Sequence, residues 1–112
     1  MLNTVILKRN RGEGKTKWLI KKALAELDAG NTNVYYSGSV IGHTIFCNSF
    51  ERDTGEKCKI RLLDSTHHNV MQNTVYLTDE LLEELPFVQY ELMKRVGGTW
   101  YVTISGENVV EE

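Results

Sequence analysis

Apolar and polar positions alternate with two different periods along the chain. Thr4-Val5-Ile6-Leu7 is a short β-branched apolar run and predicts a buried strand. Over residues 15–29 the period becomes helical. Leu19, Ile20, Ala23, Leu24 and Leu27 share one face, and Lys17, Lys21 and Lys22 lie mostly off it. Gly30 stands where a helix-terminating glycine belongs. Val34-Tyr35-Tyr36 predicts a second strand, closed by Ser37-Gly38-Ser39. Ile45, Phe46, Ser49 and Phe50 have helical spacing within residues 40–52, and residues 53–56 read as a turn. Residues 59–63 predict a third strand, residues 64–73 an exposed loop, and Thr74-Val75-Tyr76-Leu77 a fourth strand. From residue 79 to 96 the pattern is helical through Leu81, Leu85, Val88, Leu92 and Val96. Pro86 either kinks that helix or opens a second one. Gly97-Gly98 ends it, Trp100-Tyr101-Val102-Thr103-Ile104 forms a fifth strand, and residues 107–112 read as a frayed tail.

Strands interleaved with helices imply an α/β fold. The expected architecture is a three-layer sandwich with a mostly parallel five-stranded sheet, joined by right-handed crossovers. At 112 residues the chain reads as one small domain spanning 1–112. No apolar run approaches the roughly 18 residues of a membrane span, and no membrane partner is expected. The N-terminus lacks a basic leader and a cleavage site, so a signal peptide is not predicted. Cys47 and Cys58 are too few for a disulfide framework and read as buried free thiols of a cytoplasmic protein.

Net charge is −2, which argues against wholesale nucleic-acid binding, but the charge is polarised. Residues 1–22 carry seven of the thirteen basic residues against one acid, Glu13. Residues 79–112 carry eight acids against Lys94 and Arg95. Two solvated surfaces of opposite sign would account for this; an anion site near the N-terminus would account for it more specifically.

Gly12-Glu13-Gly14-Lys15-Thr16 decides in favour of the anion site. It lies between the first strand and the first helix. Glycines let backbone N–H groups curl around a phosphate, and the helix that follows points its positive end at the same anion. A lysine there reaches the terminal phosphates, and a threonine hydroxyl can ligate magnesium. Lysine at a helix start opposes the macrodipole, a conflict that an anionic ligand relieves. The pattern G-x-x-x-x-G-K-[ST] is met at its second half, whereas Arg9 stands at its first glycine.

Such a site needs a carboxylate to hold magnesium and a base to orient water. The run from Thr74 to Glu80 offers both: a strand ending in Asp79 and Glu80 at the sheet edge where ligands bind. A helix N-cap with first-turn charge is the other reading of these acids. Ile60-Arg61-Leu62-Leu63-Asp64 is a rival strand, interrupted by its arginine.

On these residues the chain resembles the P-loop NTPase superfamily, in the branch with an additional catalytic glutamate. Gly14-Lys15-Thr16 is similar to the end of a Walker A loop, and Val75-Tyr76-Leu77-Thr78-Asp79-Glu80 to a Walker B strand. Arg11, three residues before Gly14, is similar to the loop arginine of the motor ATPase of phage large terminases. Thr103-Ile104-Ser105-Gly106 resembles the short coupling motif of that family. The resemblance implies an ATP- and Mg2+-binding viral protein of the host cytoplasm. Lys15 and the amides of Gly12, Glu13, Gly14 and Thr16 would hold the phosphates, and Thr16 and Asp79 the magnesium. Glu80 would orient water, and Arg11 would offset charge on the transferring phosphate. The further strands and lid of a full ATPase are not seen in the 112 residues. That implies slow hydrolysis until a partner, another copy or a larger protein, completes the site.

The other candidates carry less. His67-His68 and the lone His43 lack acids or cysteines at ligand spacing. Trp18 reads as a core or groove-lining residue rather than a base-stacking platform. Two alternatives to an ATPase follow. One is a non-catalytic adaptor or inhibitor that uses the scaffold for protein–protein contact. The other, a lesser one, is nucleic-acid binding through the basic first helix.

Overall fold

The computed structural model describes residues 2–9, 14–64, 74–82, 87–105 and 110–111. Nine elements occur in the order β1 (Leu2–Arg9), α1 (Lys15–Asp28), β2 (Val34–Tyr36), α2 (Val40–Thr54), β3 (Arg61–Leu62), β4 (Val75–Leu82), α3 (Phe87–Val96), β5 (Gly98–Ser105) and β6 (Val110–Glu111). The strands form one sheet in the order β3-β2-β4-β5-β1-β6. The first five strands pair in parallel. β6 pairs antiparallel with β1, Leu7 opposite Glu111 and Lys8 opposite Val110.

Alternation along the strands separates two apolar clusters. Val34, Tyr36, Val75 and Leu77 pack with Leu19, Ile20 and Ala23 of α1 and Phe46 and Phe50 of α2. The intervening Tyr76, with Trp100, Val102 and Ile104, packs with Met93 and Val96 of α3. The helices therefore cover both faces of the sheet. From β1 to β2 and on to β3 the chain moves toward one edge with α1 and α2 on one face. From β4 to β5 it moves back with α3 on the other. A single crossover hand requires that pairing of direction with face. The α3 face centres on Tyr76 and Trp100, both fully buried and stacked with ring centroids 4.6 Å apart. Trp100 Nε1 donates to Gly97 O at 2.9 Å, which satisfies its polar edge.

Four expectations are corrected. Residues 79–82 are strand rather than the start of a helix; β4 runs on to Leu82, and α3 begins at Phe87. Leu81 and Leu82 are a second apolar step of the strand, drawn into it by pairing with Ile104 and Ser105 of β5. Gly98 opens β5 with φ 81° instead of ending the helix. A β-carbon there would sit 2.7 Å from Thr74 O, so only glycine fits. Val110–Glu111 pairs as β6 where a frayed tail was expected, because the edge of β1 offers open hydrogen-bonding groups. β3 is shorter than residues 59–63, having one strand to pair with, β2. His67, His68 and Pro86 lie outside the described residues. No helix among the described residues is long and apolar enough to cross a membrane.

Candidate functional site

α1 starts without a side-chain cap. Its N-cap, Gly14, has φ 79°, ψ 23°, a left-handed conformation that favours glycine on backbone grounds alone, since a β-carbon there would meet nothing within 4 Å. The first turn holds no acid, and Trp18 N donates to Gly14 O at 3.0 Å. Lys15, the first helical residue, is 4% exposed. Its charge lies at the positive end of the helix macrodipole.

One turn of chain places Thr16 opposite β4. Its Oγ1 donates to Asp79 Oδ2 at 2.8 Å, across 63 residues of sequence. The other carboxylate oxygen, Oδ1, accepts from Thr103 Oγ1 of β5. Thr103 is fully buried, and Asp79 is half-buried. Three strands' worth of topology thus converge on one carboxylate. α1 follows β1, Asp79 lies on β4, and Thr103 lies on the strand between them.

The backbone at Asp79 is irregular. Thr78 pairs with Val102 and Leu81 with Ile104, so β4 carries one residue more than β5 between those pairs. Asp79 and Glu80 are the two residues opposite Thr103. A bulge of this kind re-aims a side chain and breaks the ladder locally, and such bulges are common beside active sites. No local feature of the sequence announces it.

A cavity of about 330 Å³ opens beside this triad, lined by Thr16 and Asp79 together with Tyr36, Ile45, Ser49 and Arg52. That volume lies at the lower end of small-ligand sites. A larger cavity of about 480 Å³ sits at the opposite sheet edge, lined by Glu26, residues 29–33, Val75 and Thr99. It contains no basic residue and lies at the strand starts, where open parallel sheets do not bind ligands. A third cavity of about 550 Å³ is lined by Lys17, Ile20, Lys21, Leu24, Asp53 and Thr54; of the three, only the smallest includes Thr16 and Asp79.

The structure brings together Gly14, Lys15, Thr16 and Asp79. Glu80 has its backbone in the bulge, and its side chain lies outside the described residues, as do Arg11, Gly12 and Glu13 entirely. Arg9 ends β1, paired with Ser105, and its side chain is likewise not described. The N-cap reading of Asp79 is replaced by that of a carboxylate held in a strand by two hydroxyls. Thr103, marked in the sequence only within the short Thr103-Ile104-Ser105-Gly106 run, is the residue that donates to the second carboxylate oxygen of Asp79. Trp18 packs against the α1-face cluster, edge-on to Tyr101 at 6.2 Å, with Lys22 Nζ 5.6 Å from its ring. That contact set is one of core packing.

Hydroxyl and carboxylate oxygens are the hard donors that magnesium takes. Among the described residues no group of three or more His, Cys, Asp or Glu side chains could hold a metal. A cation here would draw one oxygen from Thr16, one from Asp79, and the rest from ligand and water. The chain matches no protein-family model, no curated protein and no solved structure.

Proposed function

We propose that the chain is a P-loop NTPase-like, three-layer domain that binds ATP with Mg2+ and turns it over slowly unless a partner completes the site. The observation that carries this reading is the hydrogen bond from Thr16 to Asp79. A Thr hydroxyl one residue after a buried lysine, paired to a strand carboxylate, is the juxtaposition a magnesium–phosphate site needs.

In this reading Lys15 and the backbone N–H groups of the loop ending at Gly14 bind the β- and γ-phosphates. Thr16 and Asp79 hold the magnesium, which when bound offsets phosphate charge. Thr103 fixes the second carboxylate oxygen, so that Asp79 presents one geometry to the cation. Glu80, in the bulge, orients the attacking water, and Arg11 offsets charge on the transferring phosphate. The partner requirement draws support from Val40, Ile41 and Ile45, which are 60–74% exposed at the start of α2, Ile45 lining the cavity itself.

Calorimetry with ATP and magnesium tests the reading. Binding by the wild type and its loss in Lys15→Ala is the expected result. No binding, or equal binding by both proteins, would overturn it. The same exposed apolar turn favours a second reading, a non-catalytic adaptor that keeps the scaffold for protein contact. A phosphate-release assay with Glu80→Gln separates the two: turnover lost in that variant selects the ATPase, and binding without turnover selects the adaptor.

A further inference from the structure

The chain's two cysteines are eleven residues apart in sequence and meet in space. Cys47 lies in α2, and Cys58 lies between that helix and β3. The left-handed Gly55 (φ 73°) caps α2 and turns the chain back. The return is pinned at several points. Gly55 N donates to Glu51 O at 2.9 Å, Glu56 N to Thr54 Oγ1 at 3.1 Å, and Cys58 N to Glu51 Oε2 at 2.9 Å. These bonds hold Cys58 Sγ at 2.9 Å from Cys47 Sγ. Both thiols are free and half-buried.

His43, one turn before Cys47, has Nε2 2.7 Å from Ile60 O and 3.4 Å from Cys47 Sγ. A carbonyl only accepts, so Nε2 carries the proton and donates it to Ile60 O. That nitrogen offers neither a lone pair for a metal nor a base for Cys47. The trio is therefore not a metal site, and what remains is a dithiol.

We propose that Cys47 and Cys58 are a redox pair that closes reversibly into an intramolecular disulfide tying α2 to the segment entering β3. The sulfurs have under about an ångström to travel to the S–S bond length of roughly 2.05 Å. The oxidant is a low-molecular-weight disulfide such as oxidised glutathione. Burial first, then Cys58 and Glu51, push the Cys47 thiol up to about 12, so it stays protonated near neutrality. Cys58 gives up its proton, attacks one sulfur of the oxidant and expels one glutathione thiolate. Cys47 then gives up its proton and attacks Cys58 Sγ of the mixed disulfide, expelling the second glutathione. Two protein thiols are oxidised, and one glutathione disulfide is reduced to two thiols. This inference is independent of the nucleotide site.

The test treats the folded protein with oxidised glutathione and reads intact mass, free thiols and the unfolding midpoint. The expected product is a monomer lighter by two hydrogens, with no free thiol, an unfolding midpoint higher by roughly 10 °C, and full reversal by dithiothreitol. Cys47→Ser is expected to stop at a stable glutathione adduct on Cys58, with no rise in midpoint. A wild type that accumulates stable glutathione adducts or covalent dimers would overturn the proposal. So would one that keeps both thiols under conditions that oxidise the urea-unfolded chain, or one whose midpoint falls on closure.

Discussion

Two helices of this protein begin in opposite ways. α2 opens on Ser39, in extended conformation, whose hydroxyl accepts from Gly42 N at 2.9 Å. Its start is satisfied by its own sequence. α1 opens on a left-handed glycine with no side-chain cap, no acid in its first turn and a buried lysine. The next residue, Thr16, reaches away from the helix to a carboxylate on β4. A helix that only has to be stable is capped locally. In the proposed reading α1 leaves its positive end to an anionic ligand, and the missing cap follows from that.

The largest expected effect tests the α1 side. Lys15→Ala should weaken ATP–magnesium binding by roughly 100-fold, about 2.7 kcal/mol, whereas Ser39→Ala should leave the affinity unchanged. Equal losses in calorimetry would erase the contrast between the two starts. Next comes Asp79→Ala, which leaves the Thr16 and Thr103 hydroxyls without their shared acceptor. It should cost about 1–3 kcal/mol in urea unfolding and abolish the magnesium dependence of nucleotide binding. Asp79→Asn, which keeps an acceptor, should recover most of the stability and none of the magnesium dependence. Gly14→Ala puts a β-carbon on a left-handed backbone and should cost about 1–2 kcal/mol. Ser39→Ala should cost about 1 kcal/mol, seen as a lower urea midpoint with an unchanged slope.

The smallest effect is a pH dependence, and it draws on both faces of the sheet. Cys47 is raised from 9.0 to about 12 and Tyr76 from 10.0 to about 12, burial leading in both. Tyr101 is raised as well, by burial and by Glu26, to which its hydroxyl donates at 3.3 Å. For each group the folded state binds the proton more tightly than the unfolded one. Their contribution to stability is therefore level below pH 9 and is lost as pH rises from 9 toward 12. Cys47→Ser should shift the onset of that decline upward toward pH 10, read as urea midpoints from pH 8 to 12.

Much of the fold could be read along the chain. Residues 15–29 carry a helical face of Leu19, Ile20 and Ala23, and these three are buried against the sheet. Val34–Tyr36 coincides with the strand expected there. Gly30, with φ 91°, follows the end of α1. The misreading of residues 79–82 has a physical cause. Acids followed by leucines at mixed spacing suit a helix start as well as a strand end, and only pairing with β5 chooses between them. The site was legible in half. Gly14, Lys15 and Thr16 announce themselves because they are contiguous, and Asp79 and Thr103 were each marked at a strand end, whereas the hydrogen bond they share and the bulge at Asp79 were not. His43, Cys47 and Cys58 looked unrelated for the same reason.

The sequence by itself determined the α/β alternation, the apolar face of α1 and the left-handed glycine that opens it, because periodicity and backbone freedom are local properties of neighbouring residues. Only the tertiary structure decided that Asp79 belongs to a strand, that Thr16 and Thr103 share its carboxylate, that β6 covers the edge of β1, and that two cysteines touch. Those facts depend on strand order and register, which are set by how the two apolar faces of the sheet are buried and not by any single stretch of chain.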